Sequence, residues 1–440
     1  MPRPSLPETS PEVRTGGAGG AIDPEAVLPV EDPVQPDAEI PVVSLLHEPS
    51  DGVPEIIDTV AGLAEVIDAF AAATGPVAVD AERASGYRYG QRTYLVQLRR
   101  RGAGTAVIDP IALPDLSGLS AALRGAEWVF HAASQDLPGL GEQGLRPEAV
   151  FDTELAARLL GMERVGLAAV VAEVLGLGLA KEHSAVDWST RPVPREWIRY
   201  AALDVEVLID VRDVLAERLV AAGKQEWARQ EFEAVRTAAP PAPRIDPWRR
   251  TSGLHAVRTG RGMAVVQALW EARDADAHAR DIAPGRVLPD AALVAAGTAV
   301  PRSVTELTAL KAFSGKATRR RAPFWFVAVE RGLAVPETRL PSVRSPRSDG
   351  PPPPRSWPDR DPEAARRLAA AREVVRMIAE QWSVPVENVL QPDLLRRLCW
   401  APPDPADVDA VADYLRGGGA RQWQVELTAA PLARAFVSVQ

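Results

Sequence analysis

Four short apolar segments, each the length of a β-strand, follow one another between residues 77 and 131. They lie at residues 77–80, 94–98, 106–109 and 128–131. An amphipathic helix is predicted before them and mainly helices after them, at residues 56–73, 153–160, 167–175 and about 194–221. This order, with strands first and helices after, predicts an α/β domain with a mixed sheet.

Two proline-rich stretches, at residues 238–247 and 341–362, divide the rest of the chain. We predict a disordered acidic tail at 1–47, the α/β domain at 48–235, a linker at 236–253, a helical module at 254–335, a proline-rich linker at 336–362 and a second helical module at 363–440. The two modules resemble a diverged repeat. In each, a similar segment precedes an apolar helix, Val287-Leu288-Pro289-Asp290 in the first and Val389-Leu390-Gln391-Pro392-Asp393 in the second.

The composition narrows the class of protein. The lone Cys399 excludes a disulfide framework and a cysteine-based zinc site. The first residues lack the apolar core of a signal peptide, and the most apolar window, 165–180, contains Glu173 and is too short to cross a bilayer. We therefore expect a cytoplasmic protein with no membrane partner. The net charge of −9 leaves a nucleic-acid partner open, because nine acids and only two arginines fall within the first 50 residues.

Five residues in three separate motifs are candidates for a metal site. Asp80 and Glu82 end the first apolar segment, where the alternation of a strand places both on one face. Asp136 follows the fourth segment, in a short polar turn before a helix. Tyr200 and Asp204 are four residues apart on a helix and project from the same side of it. Each motif alone is more often structural than catalytic.

Taken together and in this order, the three motifs favour a catalytic site over separate structural roles. Four carboxylates that converge in one pocket repel one another, so such a site needs cations. Two hard divalent ions, roughly 3.5–4 Å apart in such sites, would stabilise the attacking and leaving oxygens of a phosphodiester displacement.

Other conspicuous residues favour a structural role. We expect Asp152 to cap a helix, with Glu154 in its first turn. For His131 we expect packing or a backbone hydrogen bond, and for His183 a hydrogen bond within a loop. Trp188 is expected in the core rather than as a platform for stacked bases.

On these motifs the chain resembles the DEDD exonucleases, in the subclass with tyrosine in the last motif, and within them the ribonuclease D family. Residues 130–137 and 187–192 also resemble segments of that family, and the likeness covers about residues 55–220. The module at 254–335 resembles the helicase-and-RNase-D C-terminal (HRDC) domain. The residues that carry this second likeness are Trp270, Arg273-Asp274, Pro284, Arg286-Val287-Leu288 and the capping box Ser303-Val304-Thr305-Glu306.

The resemblance implies a fold and a set of roles. The fold is an α/β ribonuclease H-like exonuclease domain, a mixed sheet with helices, followed by two small all-α helical modules. The cofactors are two divalent metal ions, Mg²⁺ or Mn²⁺. By resemblance Asp80 bridges both ions, Glu82 and Asp204 hold the first, Asp136 reaches the second, and Tyr200 orients the attacking water. The chain departs from the family at position 81, where alanine replaces the usual threonine or serine.

The implied activity is that of a metal-dependent 3′–5′ exoribonuclease. It would release 5′-mononucleotides from the single-stranded 3′ ends of structured RNA such as tRNA precursors, and act as a monomer. Two alternatives stay open. One is an exonuclease that acts on DNA, since no residue visibly reads a 2′-hydroxyl. The other is a non-catalytic nucleic-acid-binding protein with the same fold, which the intact acids disfavour.

A basic cluster in the first helical module is the candidate for nucleic-acid binding. It comprises Lys316, Arg319, Arg320 and Arg321, which are predicted to contact phosphates, with a solvated turn as the alternative. We expect the modules to bind the nucleic acid rather than to take part in the reaction. Truncation near residue 240 should then weaken nucleic-acid binding and spare cleavage at saturating substrate.

Overall fold

The computed structural model describes residues 44–179, 185–240, 244–344 and 350–438. The predicted disordered tail at 1–47 lies almost entirely outside these residues, and so does His183. Within the described ranges, no helix combines the length and the apolar character needed to cross a membrane.

A mixed sheet forms the centre of the first domain, as predicted, but it has six strands and not only the four that the sequence predicted. The strands of the chain are β1 (Ser44–Leu46), β2 (Ile56–Ile57), β3 (Val77–Arg83), β4 (Thr93–Arg100), β5 (Gly104–Ile108), β6 (Glu127–Phe130), β7 (Ala149–Asp152) and β8 (Leu177–Leu179). Six of them form the sheet in the order β2-β5-β4-β3-β6-β7. β4 is antiparallel to both of its neighbours, and the other pairs are parallel. β1 and β8 form a separate parallel pair.

Helices cover both faces of this sheet. In this domain they are α1 (Val60–Ala72), α2 (Ser117–Ala122), α3 (Leu137–Glu142), α4 (Thr153–Leu159), α5 (Leu167–Leu175), α6 (Arg195–Glu206), α7 (Leu208–Ala221) and α8 (Gln225–Arg236). Val77, Val79 and Ala81 of β3 face the core beneath α1 and α2. The alternate residues of β3 therefore face α6, which crosses β3, β4 and β5 on the other side of the sheet.

Two predicted helices differ from the observed ones. The helix predicted at 56–73 begins only at Val60, because Thr59 caps it by accepting a hydrogen bond from the Gly62 amide and the preceding Ile56–Ile57 pairs with β5 as a strand. The single helix predicted at 194–221 is broken at the buried Val207. The break lets α6 cross the sheet while α7 packs on α4 and α5.

The described residues beyond 244 form helices and no strands. The first module has α9 (Gly260–Arg280), α10 (Pro284–Val287), α11 (Asp290–Ala299), α12 (Val304–Ala309), α13 (Lys316–Arg320) and α14 (Ala322–Leu333). The second has α15 (Trp357–Arg360), α16 (Pro362–Trp382), α17 (Val386–Val389), α18 (Pro392–Trp400), α19 (Val408–Gly417) and α20 (Gln422–Val437). Each module contains a 21-residue helix that ends at a left-handed residue, Asp281 or Ser383, followed by a 4-residue helix. This repeated order matches the diverged repeat of the sequence.

The C-terminal module packs directly on the α/β domain. Trp227 of α8 stacks on Trp423 of α20, with ring centroids 4.7 Å apart. The Lys224 ammonium donates to the backbone oxygens of Leu159 and Trp382, each at 2.6 Å. Buried apolar residues of α4, α5, α7 and α8 form one continuous cluster with those of the C-terminal module, so the module and this side of the α/β domain share a core.

Candidate metal centre

The five residues predicted from separate motifs line one cleft. Its volume is about 710 Å³, and Asp80, Glu82, Asp136, Tyr200 and Asp204 all lie along its wall. One carboxylate oxygen from each of Asp80, Glu82 and Asp204 lies within 4.8 Å of the others. β3 therefore supplies two acids, α6 a third, and the turn before α3 a fourth.

A strained turn places Asp136. After β6, Ala132 adopts a left-handed conformation (φ 65°, ψ 55°), which costs a non-glycine residue roughly 1–2 kcal/mol. The Asp152 carboxylate stabilises this turn by accepting hydrogen bonds from the Ala132 and Ala133 amides at 3.2 and 2.8 Å. The same carboxylate caps α4, as predicted, by accepting from the Glu154 amide at 2.9 Å. Asp152 is thus structural, but it also shapes the site.

Burial raises the pKa of every acid in the cluster, and repulsion by neighbouring acids adds to it for Glu82, Asp136 and Asp204. Desolvation raises the pKa of Asp80, Asp204 and Glu82. For Glu82, the charges of the neighbouring acids raise the pKa further. Burial first, and then the charge of Asp80, raise the pKa of Asp136 to about 8. A bound cation would relieve this repulsion, and carboxylate oxygens are the ligands that Mg²⁺ and Mn²⁺ prefer. The residues present fit a divalent metal.

Tyr200 is held as a neutral phenol. Burial and the charges of Asp204 and Glu82 raise its pKa well above that of a free tyrosine. Its hydroxyl donates a hydrogen bond to Asp204. Trp188, which is fully buried, lies beside it with ring centroids 6.4 Å apart, so Trp188 is a core residue as predicted.

His131 lines the cleft, but its environment makes it a poor acid or base. Its Nδ1 atom lies 2.8 Å from the Thr153 hydroxyl, which itself donates to the Phe130 backbone oxygen at 3.0 Å. Burial lowers the pKa of His131 to about 4, so the ring is neutral at physiological pH. These contacts agree with the structural role predicted for His131.

Arg83 is a cleft residue that the sequence motifs missed. It is the one lysine or arginine among the described residues that line the cleft. Burial is the main reason that the pKa values of Asp80, Glu82 and Asp136 are raised, and the positive charge of Arg83 offsets part of that rise. The Arg83 guanidinium also donates to the Gln135 side chain at 3.4 Å. The sequence signal was its place directly after Glu82, but the predicted strand ended at residue 80 and the observed one continues to Arg83.

The first helical module touches the loop that leaves this site. Residues 84–92 connect β3 to β4, and the Ala283 amide donates to the Tyr87 backbone oxygen at 2.9 Å. Arg286 donates to the Gly86 backbone oxygen at 2.6 Å, and its guanidinium lies 4.0 Å from the centre of the Tyr87 ring. The module is therefore anchored next to the cleft.

The predicted basic cluster divides in two. Lys316, Arg319 and Arg320 are exposed on α13. Arg321 instead forms a two-point salt bridge with Asp276, at 2.6 and 2.7 Å. Because the Arg321 guanidinium is paired with Asp276, we now consider only Lys316, Arg319 and Arg320 as candidates for phosphate contact.

Comparison with known protein families gives three matches along the chain. Residues 54–220 match a family described as 3′-5′ exonuclease, and residues 263–329 match the HRDC domain. Residues 350–436 match a family described as the 3′ to 5′ exonuclease C-terminal domain. The C-terminal module thus matches a different family from the first module, although its helices follow a similar order.

Individual relatives cover most of the chain. A ribonuclease D from Nitrobacter hamburgensis is 30% identical over 292 residues, which span 66% of this chain and 72% of the relative. A crystal structure of a protein from Bifidobacterium adolescentis is 39% identical with a TM-score of 0.82, and covers 90% of this chain and 99% of that one. The structure of Escherichia coli RNase D, described as an exoribonuclease involved in structured RNA processing, is 25% identical with a TM-score of 0.62 and covers 87% and 98%.

Proposed function

Because this chain belongs to the ribonuclease D family of 3′–5′ exonucleases, we propose that it removes 5′-mononucleotides from the 3′ ends of structured RNA, such as tRNA precursors. The observation that carries the proposal is the meeting of the Asp80, Glu82 and Asp204 carboxylates beside Tyr200 in one cleft. The likeness to the E. coli enzyme supports RNA rather than DNA as the substrate. A DNA exonuclease remains the alternative.

The four acids of the cleft would hold two divalent cations: Glu82 and Asp204 the first, Asp136 the second, and Asp80 both. When bound, the cations supply charge stabilisation to the attacking and leaving oxygens of the phosphodiester. Arg83, on the wall of the same cleft, places a fixed positive charge where a phosphate would enter. The acids thus bind the cofactor, and Arg83 offsets their repulsion toward the RNA backbone.

Tyr200 positions water rather than removing its proton. The Tyr200 hydroxyl uses its hydrogen atom in the hydrogen bond to Asp204. The lone pairs of the phenol oxygen can therefore accept a hydrogen bond from a water beside the scissile phosphate. A raised pKa makes the phenolate too rare to act as a base at neutral pH. Asp204 in turn fixes the direction of the hydroxyl.

Tyr200→Phe is expected to slow hydrolysis by about 10²–10⁴-fold, the usual contribution of a positioned proton donor or acceptor. The ring and its packing against Trp188 are kept, so Mn²⁺ affinity should match that of the wild type. Single-turnover kinetics with excess enzyme give the rate, and titration calorimetry gives the affinity. An unchanged single-turnover rate would remove Tyr200 from the mechanism.

The exposed residues of the basic cluster are proposed to hold the RNA body. Replacing Arg319 and Arg320 with glutamine should weaken RNA binding and flatten the log–log dependence of affinity on salt by roughly 0.7–0.9 for each lost phosphate contact. Arg376→Gln is the matched control, because this exposed arginine belongs to the other module and is paired with Glu373. Binding is measured in an Asp80→Asn background to prevent cleavage. Equal slopes for the double variant and the control would exclude the cluster as a phosphate contact.

A direct assay tests the proposed function. A hairpin RNA with a single-stranded 3′ tail and its DNA equivalent, each labelled at the 5′ end, are incubated with Mg²⁺, Mn²⁺ or EDTA. We expect the RNA to shorten from its 3′ end with release of 5′-mononucleotides, and EDTA to stop the reaction. Faster degradation of the DNA would favour the alternative substrate. Binding without degradation in any metal would indicate a non-catalytic protein.

A further inference from the structure

A buried amide lies directly beside the strand that carries the metal ligands. Gln97 of β4 is paired with Asp80 of β3 in the antiparallel register, and its side chain is 0% exposed. Residues paired across antiparallel strands project to the same face of the sheet, with Cβ atoms about 4.5–5.5 Å apart. The Gln97 amide and the Asp80 carboxylate are therefore neighbours on the face that α6 covers.

Most of the other groups around Gln97 are apolar, and Arg99, two residues after it, is occupied by Asp51, Thr105 and Glu206. Its pairing partner on the opposite side is Val107 of β5, and Leu95, two residues before it, belongs to the same cluster as Val107. The residues of α6 in that cluster include Ile198 and Ala201. Of its two cross-strand neighbours, only Asp80 offers a polar side chain.

The Gln97 amide is left without a partner in this surrounding. Among the described residues, neither its Nε2 nor its Oε1 atom has a hydrogen-bond partner. A buried polar group in that state destabilises the fold, and a strand position in an apolar core would be filled more favourably by leucine or methionine. A glutamine at this position is explained if its amide forms a hydrogen bond with a neighbouring polar group in the cation-bound protein.

We propose that Gln97 is a positioning residue of the metal centre. Its amide N–H group orients the Asp80 carboxylate, directly or through a water, when that carboxylate binds cations. A carboxylate ligand keeps lone pairs that are not directed at the metal, and a fixed donor to one of them holds the other oxygen in place. The inference rests on the proposed function, because it presumes that Asp80 binds a divalent cation.

Gln97→Met tests the inference with two readouts besides activity. Methionine has a similar length and no polar amide, so the metal-free Tm should equal or exceed that of the wild type. The dissociation constant for Mn²⁺, measured by titration calorimetry on protein stripped with EDTA and dialysed, should rise about 10–100-fold. Gln143→Met is the matched control, because Gln143 is a buried amide at the C-terminal end of α3 and is not paired with β3. Its Mn²⁺ affinity should be unchanged.

The outcomes separate the two proposals. If Gln97→Met binds Mn²⁺ like the wild type, Gln97 has no role at the metal. If Gln97→Met and Gln97→Leu both lose stability while their Mn²⁺ affinity stays the same, the amide is structural and the inference fails. Wild-type protein that binds no Mn²⁺, or Asp80→Asn that binds it equally well, would instead overturn the proposed metal site, and the role of Gln97 with it.

Discussion

Asp80→Asn is expected to abolish hydrolysis while the fold and RNA binding persist. The change keeps the shape of the side chain and removes one of the three charges that meet within 4.8 Å of one another. Charge stabilisation by bound cations is worth several kcal/mol, and each ~1.4 kcal/mol is a factor of ten in rate. The single-turnover rate on a 3′-tailed RNA should therefore fall by about 10³-fold or more. Asp68→Asn, on the exposed side of α1, is the control for loss of one charge.

The same variant should gain stability when metal is absent. Burial raises the pKa of Asp80 in the folded protein. Ionising Asp80 is therefore less favourable in the folded state than in the unfolded chain, which destabilises the fold. Stability is lost as the pH rises from the ordinary range of an aspartate through the raised pKa, and asparagine escapes this loss. In EDTA, the Tm advantage of Asp80→Asn should be larger at pH 8 than near pH 4. A variant with near-wild-type turnover and the same pH profile would show that Asp80 is not a metal ligand.

The acids of the site could be predicted because each motif carries its own local geometry. The alternation of a strand places Asp80 and Glu82 on one face, and the turn of a helix places Tyr200 and Asp204 on one side. These rules act over two to four residues and give the direction of each side chain. The convergence of the motifs was not a local property; it rested on the resemblance to a family, and the structure then brought the five residues to one cleft.

What the sequence did not reveal depends on contacts between distant segments. Gln97 lies in an apolar strand, and its interest comes only from the register that pairs it with Asp80. The break at Val207 depends on the different packing partners of α6 and α7. The docking of Arg286 on the loop at residues 84–92 joins segments about 200 residues apart in the chain. No pattern within one segment contains that information.

The largest difference between expectation and structure concerns the C-terminal module. A module that only grips RNA could be removed, and cleavage would survive. Here the module shares one of the buried clusters of the catalytic domain. Trp423 stacks on Trp227, and its Nε1 group donates to the buried Glu231 carboxylate at 3.0 Å. Deleting residues 345–440 would expose the apolar side of α8 and leave Lys224 without one of its two acceptors. We therefore expect the truncated protein to lack a cooperative unfolding transition and to lose exonuclease activity.

Trp423→Ala tests the shared core without a deletion. Loss of a buried tryptophan costs about 3–5 kcal/mol, and a domain of ordinary stability has roughly 5–15 kcal/mol in total. The free energy of unfolding in urea should fall by that amount, and activity should disappear at the same urea concentration as the folded structure, because the catalytic domain and the module unfold together. Trp423→Phe is the control: it keeps a ring against Trp227 and removes the hydrogen bond to the Glu231 carboxylate, which is worth about 1.5–3 kcal/mol. If Trp423→Ala shifted only a separate C-terminal transition and left that of the catalytic domain in place, the module would be autonomous and the expectation from sequence would stand.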